Sequence, residues 1–525
     1  MQRRAALTCV SLLTGTLVAL SGTMAQAATT RYEAESSPSV CTGTIASDWA
    51  GYSGSGFCNG TDAAGAHAQF TVNAPAAGAA TLRVRFANGT TTARPAGLVV
   101  NGSTVQSPSF EGTGAWSTWV TKTLTVSLNA GSNTVRLNPT TAAGLPNIDH
   151  LEVETGGTTT PPPAADALYV APNGTDSAAG TQTSPTTLTS AISRITPGGT
   201  IYLRGGTYNH SQTITIPAGN NGTSSARTKL SAYPGETPVL NFSAQSESSS
   251  NRGLAVNGSY WHVSGIVVER AGDNGIFVGG SNNVFERTVT RFNRDTGLQL
   301  SRMASTTPRD QWPSNNLVLS AESHDNADSD GEDADGFAAK LTSGPGNVFR
   351  YAVAHNNIDD GWDLYTYADE GPIGAVTIED SLAYENGTLS DGSQAGNGDR
   401  NGYKLGGEDV PVNHVVRRSI AYDNGKHGFT YNRNPGTMTV SNNVSIDNTE
   451  RNFSFDAGTS VFRSNTSCRS GSGTNDRIVG DADSSNQFWS GSNGSRCSSY
   501  AGALRWSYAA DGRLVVTFGG NQVTP

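Results

Sequence analysis

The segment DGWDLY, Asp360–Tyr365, belongs to a series in which a glycine leads into a very short apolar or aromatic strand. The other members are NGIFVGG at Asn274–Gly280, TGLQLS at Thr296–Ser301, DGFAAKL at Asp335–Leu341, NGYKLGG at Asn401–Gly407 and HGFTYN at His427–Asn432, with NFSFD following from Asn452. Counted from glycine to glycine and finally to Asn452, the spacings are 22, 39, 25, 41, 26 and 24 residues. A base period in the low twenties is thus interrupted by two longer excursions. A second series accompanies the first: NNVFERTVTRFN at Asn282–Asn293, GNVFRYAVAHNN at Gly346–Asn357 and NHVVRRSIAYDN at Asn413–Asn424 each read as two short strands closed by an Asn-rich turn.

One such unit cannot bury its apolar side alone, but stacking each unit on the next builds a continuous core. A parallel β-helix accounts for the period, the scarcity of helical pattern and the Asn turns together. A leucine-rich repeat has a similar period, but its leucine framework is missing, and a propeller needs longer repeats. The composition agrees with an all-β class: 62 glycines, only 15% charged residues and much Asn, Thr and Ser favour short strands and turns.

The ends of the 525-residue chain read differently. Residues 1–27 have a basic start at Arg3 and Arg4, an apolar run and a small-x-small site at Ala25–Ala27, the pattern of a secretion signal. No later apolar run is long enough to span a bilayer, so a secreted, extracellular protein is expected. Residues 155–166, TGGTTTPPPAAD, form a stiff Thr/Pro linker. It separates residues 28–154, whose alternating ATLRVRFAN, WVTKTLTVSL and NTVRLNP suggest a small β-sandwich, from the repeat domain at 167–525. In the latter, 185–195 is expected to form one short helix. Cys9 leaves with the signal; in an oxidising compartment Cys41 with Cys58 and Cys468 with Cys497 are the economical disulfides. A net charge of −10 argues against nucleic acid as a partner. An acidic polymer remains compatible with it if a metal ion bridges like to like.

In a solenoid, equivalent positions lie about 4.8 Å apart on successive coils. The alignment therefore stacks Asp335 beneath Asp360, with Asp359 one residue behind, and Asp363 beneath Lys404. Four carboxylates packed together have strongly raised pKa values unless a metal lies among them, and all-oxygen ligation suits Ca²⁺ better than Mg²⁺ or Mn²⁺ here. Lys404 beside such an ion would have a lowered pKa and could act as a base. The plainer reading is a salt bridge from Lys404 to Asp363, and an Asn/Asp turn ladder for the acids. Lys340 and Arg400 are further candidates for contacts with substrate carboxylates. The two excursions, before Asp335 and before Lys404, are expected to wall a substrate groove.

Together DADGFAAK, NNIDDGWDLY, NGYKLGG, GGTIYLRGGTY and the opening YVAPNGTDSAAGTQTSP resemble polysaccharide lyase family 9, the right-handed parallel β-helix pectate lyases. The resemblance implies that Asp335, Asp359, Asp360 and Asp363 bind a catalytic Ca²⁺, that Lys404 is the Brønsted base, and that polygalacturonate or a related uronate polymer is cleaved by β-elimination. Two alternatives remain: a hydrolase resembling the β-helix polygalacturonases, and a non-catalytic Ca²⁺-dependent binder of acidic polysaccharide. The first module, through RYEAESS, WAGYSGSGF, LNAGSNTVRL and GLPNIDHLEVE, resembles carbohydrate-binding module family 35. Here the resemblance implies Glu33, Glu35 and Asp149 as ligands of a structural Ca²⁺, with Glu33 and Glu35 on one strand face. Tyr52, Trp116 and Asn147 are candidates for sugar contacts. The partner expectations are pectin or polygalacturonate, no nucleic acid, no membrane, and a monomer.

Overall fold

The computed structural model describes residues 28–523 except 64, 75–77, 130, 156–166, 395 and 510. The signal segment, and the linker beyond Thr155, lie outside the described residues. The chain divides into two compact units, 1–160 and 161–525.

In the smaller unit two six-stranded antiparallel sheets form a sandwich. Gly78–Ala87 pairs with Val120–Leu128 on one side and Asn147–Thr155 on the other. Gly131–Pro139 lies between Ala68–Ala74 and Arg94–Val100 in the second sheet. Alternation along these strands sends Phe70, Leu82, Leu98, Leu137 and Leu151 into a common core. Cys41 and Cys58 are joined.

The larger unit is a coil of three parallel sheets, of twelve, ten and ten strands. Each turn of chain contributes a strand to each sheet. The aligned segments all fall in one of the ten-stranded sheets, where Phe337, Trp362, Tyr403, Phe429 and Phe453 occupy one register position. Their rings point inward and stack, with centroids 5.0, 4.8, 4.6 and 5.1 Å apart from coil to coil. Because side chains alternate across a strand, the next residue on each coil must face outward. Those residues are Ala338, Asp363, Lys404, Thr430 and Ser454.

Turns between sheets are built on a residue with positive φ followed by a buried asparagine: Asp325 then Asn326, Asn356 then Asn357, Glu385 then Asn386, Asp423 then Asn424. Each asparagine Nδ2 donates to the Oδ1 of the next, at 2.8 Å from Asn326 to Asn357, and at 2.9 Å from Asn357 to Asn386 and from Asn386 to Asn424. An asparagine satisfies backbone groups and its neighbours at once, so the polar turn can be buried. The turn ladder therefore exists, but as asparagines lying beside the aspartates.

Both ends of the coil depart from the repeat. The helix occupies Leu188–Arg194, shorter than expected, because Thr186 pairs with Val170 and Thr187 caps the helix by accepting from Ser190 N–H. At the far end, Leu504–Tyr508, Leu514–Phe518 and Asn521–Val523 form an antiparallel sheet, which the repeat pattern does not foreshadow. It packs with Val353, Leu382, Ile420 and Val444 in a separate apolar cluster. Trp506 Nε1 donates to Tyr384 Oη at 3.1 Å, and the Cys468–Cys497 disulfide lies in this region.

Candidate active site

The register stacks Asp363 directly under Lys404 on the outward face, one coil apart. Asp335 and Asp360 each stand just before the glycine that starts the strand, and Gly336 N–H donates to the Asp360 carbonyl at 2.9 Å. One carboxylate oxygen from each of Asp335, Asp359 and Asp360 comes within 4.8 Å of the others. All four aspartates and both Lys340 and Lys404 are buried.

Each carboxylate is held by the surrounding chain. Asp335 Oδ2 accepts from Thr296 Oγ1 at 3.0 Å and Lys340 Nζ at 2.7 Å. Asp360 Oδ1 accepts from the Asn401 backbone at 2.6 Å and its Nδ2 at 2.9 Å. Asp359 Oδ1 accepts from the backbone N–H groups of Asp399 and Arg400. Asp363 Oδ1 accepts from Tyr365 N–H at 2.8 Å, while its Oδ2 faces Lys340 and Lys404, each at 3.6 Å. Lys404 Nζ also lies 3.2 Å from Asp360 Oδ2 and 3.1 Å from Asp399 Oδ2.

Electrostatics follow from this crowding. Burial, assisted by the neighbouring Asp363 charge and opposed by Lys340, pushes Asp335 up to about 7. Burial pushes Asp360 up to about 8, with Asp335 and Asp363 assisting and Lys404 opposing, and it raises Asp359 well above the carboxylate range. For Lys404, burial disfavours the ammonium, but Asp363, Asp360, Asp359 and Asp335 outweigh it and hold the group above its ordinary value. The lowering expected of Lys404 is therefore not a property of the protein groups alone; it would require positive charge placed among the acids.

The donor set fits a hard divalent cation. It consists of carboxylate oxygens, as Ca²⁺ and its relatives prefer. Asp360 Oδ2 is buried with no hydrogen-bond donor, its approach to Lys404 being a charge contact without hydrogen-bond geometry. Above the acids lies a cavity of about 340 Å³ lined by Lys340, Asp359, Asp363, Tyr365, Asp399 and Lys404, among others. Glu332 and Asp333 from one excursion, and Tyr367 and Asn397 from the other, complete its lining.

Two of the expected substrate contacts change. Arg400 turns away: its backbone has φ 60° and its side chain lies against Gly387 and Gly425, bordering another cavity with Asn356, Glu385 and Asp423. The left-handed backbone aims its N–H at Asp359, and that sends the side chain to the opposite side. Lys340 does border the cavity, but its ammonium is engaged by Asp335. Two charged residues outside the expected set, Asp399 and Lys426, join the cluster at Lys404. Asp399 sits in an excursion with no repeat position; Lys426 stands two residues before Gly428, as Asp359 stands before Gly361, and could have been read from the alignment.

In the smaller unit, Glu33, Asp149 and His150 bring ligand atoms within 4.8 Å of one another. Ser53 N–H donates to both Asp149 oxygens at 2.9 and 3.1 Å, and Ser53 Oγ donates to Glu33 Oε2 at 2.8 Å. His150, Ser53 and Arg85 hold Asp149 below the usual carboxylate range against its burial. The strand ends at Glu33, so Glu35 does not share its face. A turn closed by Ser36 N–H on the Glu33 carbonyl carries Glu35 round, and Ser55 N–H donates to its Oε1 at 2.8 Å. The other oxygen, Oε2, is buried without a partner. Gly54 allows this approach, since a Cβ there would lie 2.0 Å from Glu35 Oε1. His150 had no signal beyond its place next to Asp149. Tyr52 packs on Phe57, Trp116 is half-buried with Arg94 over its ring at 5.3 Å, and Asn147 is buried. Among the described residues, no hydrogen bond or ring contact joins these three.

A parallel coil presenting buried aspartates and lysines to an outward cavity defines a β-helix protein with a candidate catalytic centre on its outer face. Residues 168–466 match the family described as Pel9A-like, right handed beta helix region, and the chain belongs to that family and is a polysaccharide lyase. Residues 33–155 match the carbohydrate binding module (family 6). Pectate lyase L of Paenibacillus polymyxa (strain SC2) is 54% identical over 327 residues, covering 62% of this chain and 73% of that protein. The crystal structure of pectate lyase Pel9A has a TM-score of 0.56 at 32% identity, covering 68% of this chain and 88% of that one. The CBM35 from Cellvibrio japonicus Abf62 is 41% identical, covering 25% of this chain and 94% of that one, with a TM-score of 0.24.

Proposed function

We propose that this chain is a secreted, Ca²⁺-dependent pectate lyase that cleaves polygalacturonate by β-elimination. The observation that carries the proposal is the register of Asp363 and Lys404 on adjacent coils, over the point where Asp335, Asp359 and Asp360 converge. Asp335, Asp359, Asp360 and Asp363 are the residues that would hold the ion. Bound there, Ca²⁺ would supply positive charge to a uronate carboxylate and stabilise the charge that develops at C5.

Lys404 is the base. As the neutral amine, its Nζ takes the C5 proton and becomes the ammonium, the C5 electron pair forms the 4,5 double bond, and the C4–O glycosidic bond breaks with its electrons on the leaving oxygen. Lys340 offsets part of the acidic charge from beneath. Tyr365, whose ring lies 5.4 Å from Lys404 Nζ, walls the base on one side. A hydrolase would need an acid facing a second carboxylate across the scissile bond, typically about 5 Å or more away. Here three carboxylates meet within 4.8 Å, and Lys404 is close to them.

The remaining parts are read with this function. Residues 1–27 are a signal peptide, 28–154 a carbohydrate-binding module with a Ca²⁺ held at Glu33, Glu35 and Asp149, 155–166 a linker and 167–525 the lyase domain. Two disulfides suit an oxidising, extracellular setting. No helix among the described residues is long and apolar enough to cross a membrane. The test is incubation with polygalacturonate, with and without chelator, following the ultraviolet absorbance of the unsaturated product. Absorbance that appears only with Ca²⁺ and vanishes in Lys404→Ala is expected; saturated reducing ends without absorbance would mean a hydrolase.

A further inference from the structure

A lysine side chain is long and flexible, so an amine that must meet one C–H bond needs something to hold it. Lys404 Nζ has three carboxylates in reach: Asp399 at 3.1 Å, Asp360 at 3.2 Å and Asp363 at 3.6 Å. Asp360 and Asp363 belong to the set assigned to the ion. Asp399 is outside that set, and it is the nearest of the three.

Asp399 is itself fixed on two sides. Lys426 Nζ, on the next coil, donates to its Oδ1 at 2.9 Å, which leaves Oδ2 for Lys404. Its backbone N–H donates to Asp359 Oδ1. The chain can come this close because Gly398 has no side chain: a Cβ there would lie 2.9 Å from Asp359 Oδ1 and 2.7 Å from the Gly331 carbonyl oxygen. One residue thus touches the acidic set through its backbone and the base through its carboxylate, and its carboxylate is steadied from behind.

We propose that Asp399 is the positioning residue of Lys404, and that Lys426 acts by orienting Asp399. The proposal rests on the reading of Lys404 as the base and deepens it. Neither residue touches the reacting atoms in this role. Without Asp399, the carboxylates left within reach of Lys404 Nζ are Asp360 and Asp363, both of the set assigned to the ion.

The experiment compares Asp399→Ala, Asp399→Asn, Lys426→Ala and the double variant Asp399→Ala/Lys426→Ala in the full chain. Each is assayed for kcat and KM on polygalacturonate, for Ca²⁺ affinity by calorimetry with calcium chloride, and for thermal stability. The expected result is a fall in kcat of about 10- to 100-fold in Asp399→Ala, the scale of a misplacement of about 1 Å. KM and Ca²⁺ affinity should stay within about threefold, because the backbone N–H to Asp359 is retained. Asp399→Asn, which keeps the shape and an oxygen acceptor, should recover part of the loss. The double variant should be no slower than Asp399→Ala beyond about twofold, because Lys426 works only through Asp399.

Unchanged kcat in Asp399→Ala would overturn the proposal. A parallel loss of Ca²⁺ affinity would overturn it too, since Asp399 would then be supporting the ion set. Multiplying losses in the double variant would show that Lys426 acts by itself. If Asp399→Ala does not fold, the split between kcat and Ca²⁺ affinity is read from Asp399→Asn and Lys426→Ala. Activity surviving in Lys404→Ala would sink the base assignment, whatever the Asp399 variants do.

Discussion

Gly361, between Asp360 and Trp362, is where the packing of the coils and the geometry of the site can be tested in one substitution. In Gly361→Ala the new Cβ would lie 2.6 Å from the Gly402 carbonyl oxygen, 2.9 Å from Asn386 Nδ2 and 3.1 Å from Ala383 Cβ. The Gly402 oxygen is backbone and already accepts from Trp362 N–H at 3.0 Å, so it cannot swing aside cheaply. Reaching ordinary contact, about 3.4 Å, requires the two coils to part locally by roughly 0.8 Å. Overpacking of this kind costs about 1–3 kcal/mol, and weakening the inter-coil bonds from Trp362 and Gly361 adds about 1 kcal/mol. With unfolding entropy near 2.1 cal/mol/K per residue, a unit spanning 161–525 should lose about 3–5 °C in Tm. The same parting separates Asp363 from Lys404, and a shift of this size costs up to about 100-fold in rate. The assay is thermal unfolding together with the rate of unsaturated-product formation. Gly396→Ala is the control, because a Cβ there meets nothing within 4 Å. A Gly361→Ala protein with the original Tm and rate would refute the reasoning, since inter-coil contact at this glycine would not then be what places the pair.

Removing calcium from the protein should lower its stability as well as its activity: an ion at 100 times its Kd contributes about 2.7 kcal/mol by mass action, and thermal scans with and without chelator should lose that difference in Asp360→Asn. Asn386→Leu should cost about 3–5 kcal/mol in denaturant unfolding, because Asn424 Oδ1, the Ala354 carbonyl, Asn357 Nδ2 and Asn357 N–H each lose a hydrogen bond in a buried turn. Glu379 is a buried carboxylate between Arg350 at 2.6 Å, Arg417 at 2.6 Å and Arg418 at 3.1 Å, and these partners depress its pKa against its burial. A depressed folded value means its contribution is complete above the unfolded pKa, near 4.3, and is lost as pH falls through the folded value. Glu379→Gln should therefore be less stable by about 1–3 kcal/mol at pH 7, discounted because the arginines are partly exposed, and the gap should narrow as pH falls below the unfolded value and close once it has passed the folded one; a gap constant with pH would contradict the assignment.

What could be read in the chain depended on whether a residue had a repeat position. Phe337, Trp362 and Tyr403 occupy one register, so a glycine alignment alone placed Asp363 beneath Lys404 and Asp335 beneath Asp360. Each further coil tests the same register, which is why so short a motif could be placed. Residues outside the period had no such support. Arg400 is expected in the groove on its charge, yet its backbone conformation directs the side chain elsewhere. Glu35 is expected to share a strand face with Glu33, but the strand ends at Glu33, two residues short of it, so alternation does not apply. The C-terminal antiparallel sheet has its own apolar cluster and shares no position with the coils it covers.

The adjacent pair Asp359 and Asp360 shows why the excursion before Lys404 is needed. Consecutive residues in a strand face opposite ways, so two neighbouring carboxylates can converge only outside a strand. This pair lies in the turn before Trp362–Asp363, where no ladder partner orients them. The returning excursion supplies that orientation: Asp399, Arg400 and Asn401 donate three successive backbone N–H groups, two to Asp359 and one to Asp360. The φ of 60° at Arg400 is what lets neighbouring N–H groups converge in this way. A shorter connection could still have placed Lys404 over Asp363, but it would have left two buried carboxylates without donors. The excursion is thus part of the site's electrostatics as well as a wall of its cavity, and deletions within 397–401 should cost metal affinity before they cost the fold.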